Sequence, residues 1–144
     1  MKYIDVALDE ARKSKDIDEV PVGAVIVYKD KIISKGHNIS NNDCVANHAE
    51  IIAINKAIVV LNDWRLIDCE MYVTLEPCPM CAGAILKSRI KKVYIGTSSN
   101  IKSNKKIIDS IFNNNDYYHN VDFEYLNDAN CSKILTDFFK EKRL

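Results

Sequence analysis

Between residues 71 and 96 the chain passes from a β-forming run to a helical one and back. Met71–Leu75 reads as a short strand, Pro79–Ser88 as a helix and Lys92–Gly96 as a second strand. Strands joined through a helix pair in parallel, because the crossover returns the chain to the same end of the sheet. An α/β layer architecture follows, and the flanking segments fit it. Ile4, Leu8 and Ala11 keep helical spacing until Asp16–Pro21 breaks the pattern. Val22–Tyr28 is rich in β-branched residues and Lys31–Lys35 continues it, predicting a hairpin across Lys29-Asp30 without the favoured Asn-Gly turn. From His48, the residues Ile51, Ile54, Ile58 and Leu61 recur at three- and four-residue steps, an amphipathic helix closing at Asn62-Asp63. Within the polar stretch 97–120, Ile107, Ile108, Ile111 and Phe112 predict a crossover helix. A strand at Val121–Leu126 and a last helix over Ala129–Arg143 complete the pattern.

A chain of 144 residues, 47% hydrophobic, can bury its own core as one domain spanning 1–144. Residues 1–20 lack the basic and apolar regions of a signal peptide, and Val22–Tyr28 and Ala57–Leu61 fall short of the roughly 20 residues that cross a bilayer. No membrane association is expected. Five cysteines without a secretory context point to metal or catalytic use of some thiols and to a reducing cytoplasm. The net charge is zero, so nothing global announces a nucleic-acid partner. The acids gather before residue 20, however, while Lys87, Arg89, Lys91, Lys102, Lys105, Lys140, Lys142 and Arg143 lie later, leaving room for a local basic face.

The chemistry concentrates in two places. His48-Ala49-Glu50 is followed, after residues 51–76, by Pro77-Cys78-Pro79-Met80-Cys81, and both groups fall at predicted helix starts. One imidazole and two thiolates supply three ligands for a zinc ion and leave a fourth position open for water. His48, Cys78 and Cys81 are therefore the candidate ligands. Cys78 and Cys81 are one helical turn apart, at the helix end whose positive potential favours thiolate. Glu50, two residues from His48, points elsewhere around the helix yet lies close enough to serve a water at the metal as proton shuttle.

A Cys-x-x-C pair alone also fits a redox or a structural zinc site; the His-x-Glu partner is what favours catalysis. Cys44, Cys69 and Cys131 have no partner at ligand spacing and read as core or half-buried residues. His37 and His119 read as solvated or locally hydrogen-bonded. Glu76, before Pro77, competes with Glu50 as general base, but its place at a strand end suits an anchoring carboxylate. A non-catalytic zinc-bearing RNA-binding module would have no need of Glu50.

With these residues in view, the chain resembles the bacterial tRNA adenosine deaminases, within the wider cytidine and deoxycytidylate deaminase superfamily. The zinc motif is the signature by which such enzymes are recognised. Glu19-Val20-Pro21-Val22-Gly23-Ala24, Trp64-Arg65-Leu66, Met71–Glu76, Cys81-Ala82-Gly83-Ala84 and Asp137-Phe138-Phe139-Lys140 extend the resemblance over nearly the whole chain. It implies a three-layer α/β/α sandwich around a mixed five-stranded sheet, one zinc per chain and a homodimer. The implied substrate is adenosine at the wobble position of a tRNA anticodon loop, flipped into the zinc pocket. By the same resemblance Asn38 and the backbone of Ala49 contact the flipped base. Guanine and cytosine deaminases share the zinc chemistry and are the alternative enzyme class. Two loops depart from the family pattern, at 41–47 and 97–106. Cys44-Val45-Ala46-Asn47 replaces a Pro-Thr pair, and Asn100–Asn104 replaces a Lys-x-Gly stretch.

Overall fold

The computed structural model describes residues 2–142. Among them, α1 (Tyr3–Asp16) leads to β1 (Gly23–Tyr28) and β2 (Lys31–His37), followed by α2 (Ala49–Leu61). The order continues with β3 (Glu70–Leu75), α3 (Pro79–Lys87), β4 (Lys92–Thr97), α4 (Asn104–Phe112), β5 (Asp122–Tyr125) and α5 (Ala129–Lys142). The strands form one mixed sheet in the order β2-β1-β3-β4-β5. β1 pairs antiparallel with both β2 and β3, whereas β3–β4 and β4–β5 are parallel. No helix among the described residues is long and apolar enough to cross a membrane.

Side chains of β1 alternate between two cores, as the two-residue strand period requires. Ala24 and Ile26 join Met71, Val73, Val93 and Ile95 against α2, α3 and α4, while Val25 joins Ile4, Leu8, Ala11 and Cys131 beneath α1 and α5. These are the three layers expected. The hairpin forms where predicted, and Lys29 and Asp30 both take left-handed backbone (φ 50° and 62°), the geometry an Asn-Gly pair would adopt more readily.

The element limits differ in detail. β2 runs on to His37, two residues past the expected end, because its pairing with β1 continues to Gly23. β5 is shorter than Val121–Leu126. The Val121 N–H is drawn out of the ladder to the Phe112 carbonyl at 3.0 Å, whereas the Leu126 N–H still reaches the Ile95 carbonyl of β4 (2.7 Å). Arg143, the expected end of the last helix, lies outside the described residues.

The face that α2 buries also differs from the one its isoleucines suggested. Ala49, Ala53 and Ala57 are fully buried, with Ile54 and Glu50 nearly so, while Ile51, Ile58 and Leu61 are half-buried and Val59 and Val60 exposed. The reason is close packing on β2. A Cβ on Gly36 would lie 2.4 Å from the Ala49 carbonyl oxygen and 2.9 Å from the Ala53 nitrogen, so the helix meets the strand backbone to backbone. Only small residues fit such a contact. Gly36→Ala should therefore force α2 outward and cost about 1–3 kcal/mol, read as a lower urea midpoint. An unchanged midpoint would show that the contact is not tight.

Candidate active site

Two helix starts meet at the carboxyl end of β3. His48 is the N-cap of α2 and Cys78 the N-cap of α3, each with extended backbone (φ −94°, ψ 150° and φ −72°, ψ 168°). Pro79 occupies the first position of α3, where its missing N–H costs nothing and its fixed φ suits the helix. Cys81 follows on the first turn and is fully buried. The His48 Nδ1 atom lies 3.7 Å from Cys78 Sγ and 3.4 Å from Cys81 Sγ. All three ligand atoms fall within 4.8 Å of one another. Zinc–sulfur and zinc–nitrogen bonds of ordinary length at a tetrahedral angle put such atoms about 3.6 Å apart. The three residues thus fit a tetrahedral metal, with Nδ1 as the histidine ligand atom.

The electrostatics favour thiolate at Cys78. The Cys81 thiol hydrogen-bonds to it, the N–H groups of Cys81 and Met80 at the helix start add to this, and His48 helps. Against the opposing effect of burial they bring Cys78 down to about 5. Cys81, which shares its proton with Cys78 and is buried beside Glu50, is pushed up. Glu50 is 3% exposed and its carboxyl is raised to about 7, mainly by burial and then by the charge of Cys78. It stands outside the three-residue metal group but in hydrogen-bond contact with Cys81.

Asn38 and Ala49, expected at a bound base, meet each other. The Ala49 N–H donates to Asn38 Oδ1 at 2.9 Å. Asn38 is held at two further points: its N–H donates to the Val22 carbonyl (3.1 Å), and its own carbonyl accepts the buried Ser14 hydroxyl at 2.8 Å. Nothing in the spacing of Ser14 revealed this part. His37 pairs with Glu10 at 3.3 Å and His119 with the Ile90 carbonyl at 2.9 Å, so both are locally hydrogen-bonded as read. Cys69 and Cys131 are buried, but Cys44 is exposed on the 41–47 loop, contrary to the half-buried expectation, because that loop lies outside the packed layers. Glu76 is 5% exposed and engaged by hydroxyl and amide donors, an anchor away from the metal group.

Two clefts flank the carboxyl ends of β3 and β4. One, about 410 Å³, is lined by Val20, Leu75, Ser99, Ile101, Leu135 and Phe139. The other, about 380 Å³, is lined by Glu76, Ser98, Ile101, Lys102, Lys105 and Tyr125. The larger groove of about 790 Å³ lies between α1 and α5 on the opposite face.

A His–Cys–Cys group beside a buried carboxylate, at the strand ends of a mixed α/β sheet, defines the class of metal-assisted base deaminases. Residues 1–97 match the family model described as the cytidine and deoxycytidylate deaminase zinc-binding region, and the chain belongs to that family. It is 40% identical over 143 residues to the tRNA-specific adenosine deaminase of Buchnera aphidicola subsp. Schizaphis graminum, covering 98% of this chain and 94% of the relative. A solved structure from studies of A-to-I editing by tRNA:A34 deaminases at the wobble position superposes with a TM-score of 0.84. It is 35% identical and covers 92% of this chain and 98% of that one. The guanine deaminase of Bacillus subtilis is 30% identical, with a TM-score of 0.64 over 99% of this chain and 92% of that one.

If the three residues act as one ligand set, Cys78→Ser and Cys81→Ser should each lose bound zinc, because a hydroxyl is a poor zinc ligand. Elemental analysis of the purified variants checks this, and a zinc-replete serine variant would remove that residue from the set.

Proposed function

We propose that this protein is a zinc-dependent hydrolase that converts adenosine to inosine at the wobble position of tRNA anticodons. The observation that carries the reading is the buried Glu50 carboxyl set beside a His48–Cys78–Cys81 group of tetrahedral dimensions. Adenosine in tRNA is favoured over a free base by the relatives. The wobble-adenosine deaminase fits this chain more closely than the guanine deaminase does, with TM-scores of 0.84 and 0.64.

Zinc held by His48 and the two cysteines supplies a Lewis acid that makes water a usable nucleophile near neutral pH. Glu50 is the proton carrier. It takes a proton from the attacking water, passes one to the ring nitrogen beside the reacting carbon and assists departure of the amine, so that adenosine and water give inosine and ammonia. A carboxyl raised toward neutrality can both accept and return protons. Asn38 spends its Oδ1 on the Ala49 N–H, which leaves its Nδ2 to donate to an acceptor on the base.

For the RNA partner, the charged side chains of the final helix are partly taken up within the chain. Lys142 pairs with Asp18, Lys15 with Glu141 and Lys133 with Asp137. Lys102 and Lys105, lining the cleft beside Glu76, make no salt bridge among the described residues and are better placed to meet phosphates. The homodimer implied by family resemblance is part of the proposal. Val59 and Val60 of α2, Met80 of α3 and Ile107 of α4 are exposed on the helical layer that carries the metal group, apolar surface that a second copy would cover. A cytoplasmic location belongs to the same reading.

Glu50→Ala should keep one zinc per chain and lose at least about 100-fold in rate on an anticodon stem-loop carrying wobble adenosine. Inosine and metal are measured on the same sample, and loss of zinc would overturn the role. Ammonia released from free guanine or cytosine, with none from the stem-loop, would transfer the reading to a free-base deaminase. Sedimentation equilibrium should give twice the mass of one chain, with Met80→Asp and Ile107→Asp together shifting it to the single-chain mass. A wild type that sediments as a single chain would remove the dimer.

A further inference from the structure

Glu76 is a buried carboxylate that makes no salt bridge among the described residues, so its charge is tolerable only where donors surround it. Those donors come from three separate elements. Oε1 accepts the Ser99 hydroxyl at 2.9 Å, the Ser99 N–H at 3.4 Å and the Asn104 side-chain amide at 2.7 Å. Oε2 accepts the Tyr125 hydroxyl of β5. The Asn104 amide also donates to the Pro77 carbonyl at 3.1 Å, and the Glu76 N–H to the Thr97 carbonyl at 2.9 Å. Both ends of the β4–α4 connection are therefore fastened to the turn that leads into Cys78. Ser99 sits at its start, and Asn104, 4% exposed, is the first residue of α4.

The fastened segment is the one that shapes the two clefts. Ser98, Ser99 and Ile101 line both of them, and Lys102 lines the more polar one. Residues 98–103 include no helix or strand, and so depend on such side-chain bonds for a fixed position. We propose that Glu76 is a positioning residue that locks the 98–103 loop to the Cys78 turn, so that the RNA flanking the reacting base is held in register with the metal group. This rests on the RNA reading of the site. The carboxylate is taken up by Ser99, Asn104 and Tyr125 and stands outside the metal group. Its effect travels through the loop, and so falls on binding rather than on the chemical step.

Methionine has nearly the shape of glutamate without an acceptor oxygen, whereas glutamine keeps one oxygen for Ser99 and Asn104 and lets the Tyr125 oxygen accept from its amide. Glu76→Met should raise KM for the anticodon stem-loop by about tenfold or more, the scale of lost hydrogen bonds to a buried charge, with kcat and zinc content little changed. Glu76→Gln should restore KM to near the wild-type value. Hydrogen exchange should quicken in residues 98–104 of Glu76→Met and not in α3. If that variant does not fold, the Ser99→Ala, Asn104→Ala pair breaks the same bonds from the loop side and should show the same rise in KM. An unchanged KM, or a fall in kcat together with zinc, overturns the proposal. A wild type that leaves the stem-loop untouched but turns over a free base defeats the RNA reading instead, and the exchange measurement still decides whether Glu76 holds the loop.

Discussion

Everything at the candidate site depends on two helices beginning side by side. His48 and Cys78 are both N-caps, so their side chains stand at helix ends whose backbone N–H groups have no partner within the helix. Those amides draw Cys78 toward thiolate, and the positive helix end does the same over a longer range. The parallel pairing of β3 with β4 carries α3 back across the sheet, and the alanine-lined face of α2 brings the other N-terminus down against β2. Were either helix displaced by an ångström, the distances of 3.4 and 3.7 Å between the imidazole and the sulfurs would no longer match one ion.

Three buried carboxylates show how surroundings assign different work to one functional group. Glu10, on α1, is buried, yet the hydrogen bonds of Lys13 and His37 hold its carboxyl below the usual range; it is a tie between α1 and the end of β2. Glu50 is buried and lies beside the charge of Cys78, so its carboxyl is raised. Such a group suits proton exchange. Glu76 is ringed by hydroxyl and amide donors that fix its place and theirs.

Much of this is legible in the sequence. The strand–helix alternation from Met71 to Gly96 is a local pattern, and the parallel pairing of β3 with β4 follows from it. The candidate metal group of His48, Cys78 and Cys81 is legible because these residue types are rare in combination and their spacing follows from the helix turn. The burial of Ala49, Ala53 and Ala57 is not legible in the same way, since periodicity marks large apolar residues and is blind to a backbone approach that only alanine and glycine permit. The start of β5 is set by the hydrogen bond from Val121 to Phe112, which no local preference encodes.

The sequence by itself determined the class of fold and singled out the three residues of the candidate metal group and the carboxyl beside them, because each is carried by short-range spacing and by side-chain chemistry. Tertiary structure alone decided which partners those residues meet. Ser14 reaches Asn38 across 24 positions, and Asn104 and Tyr125 reach Glu76 across 28 and 49. Contacts of that range arise when the sheet brings distant segments to one edge, and a buried polar atom then takes whichever donor the packing presents. The spacing of residues along the chain holds no record of that choice.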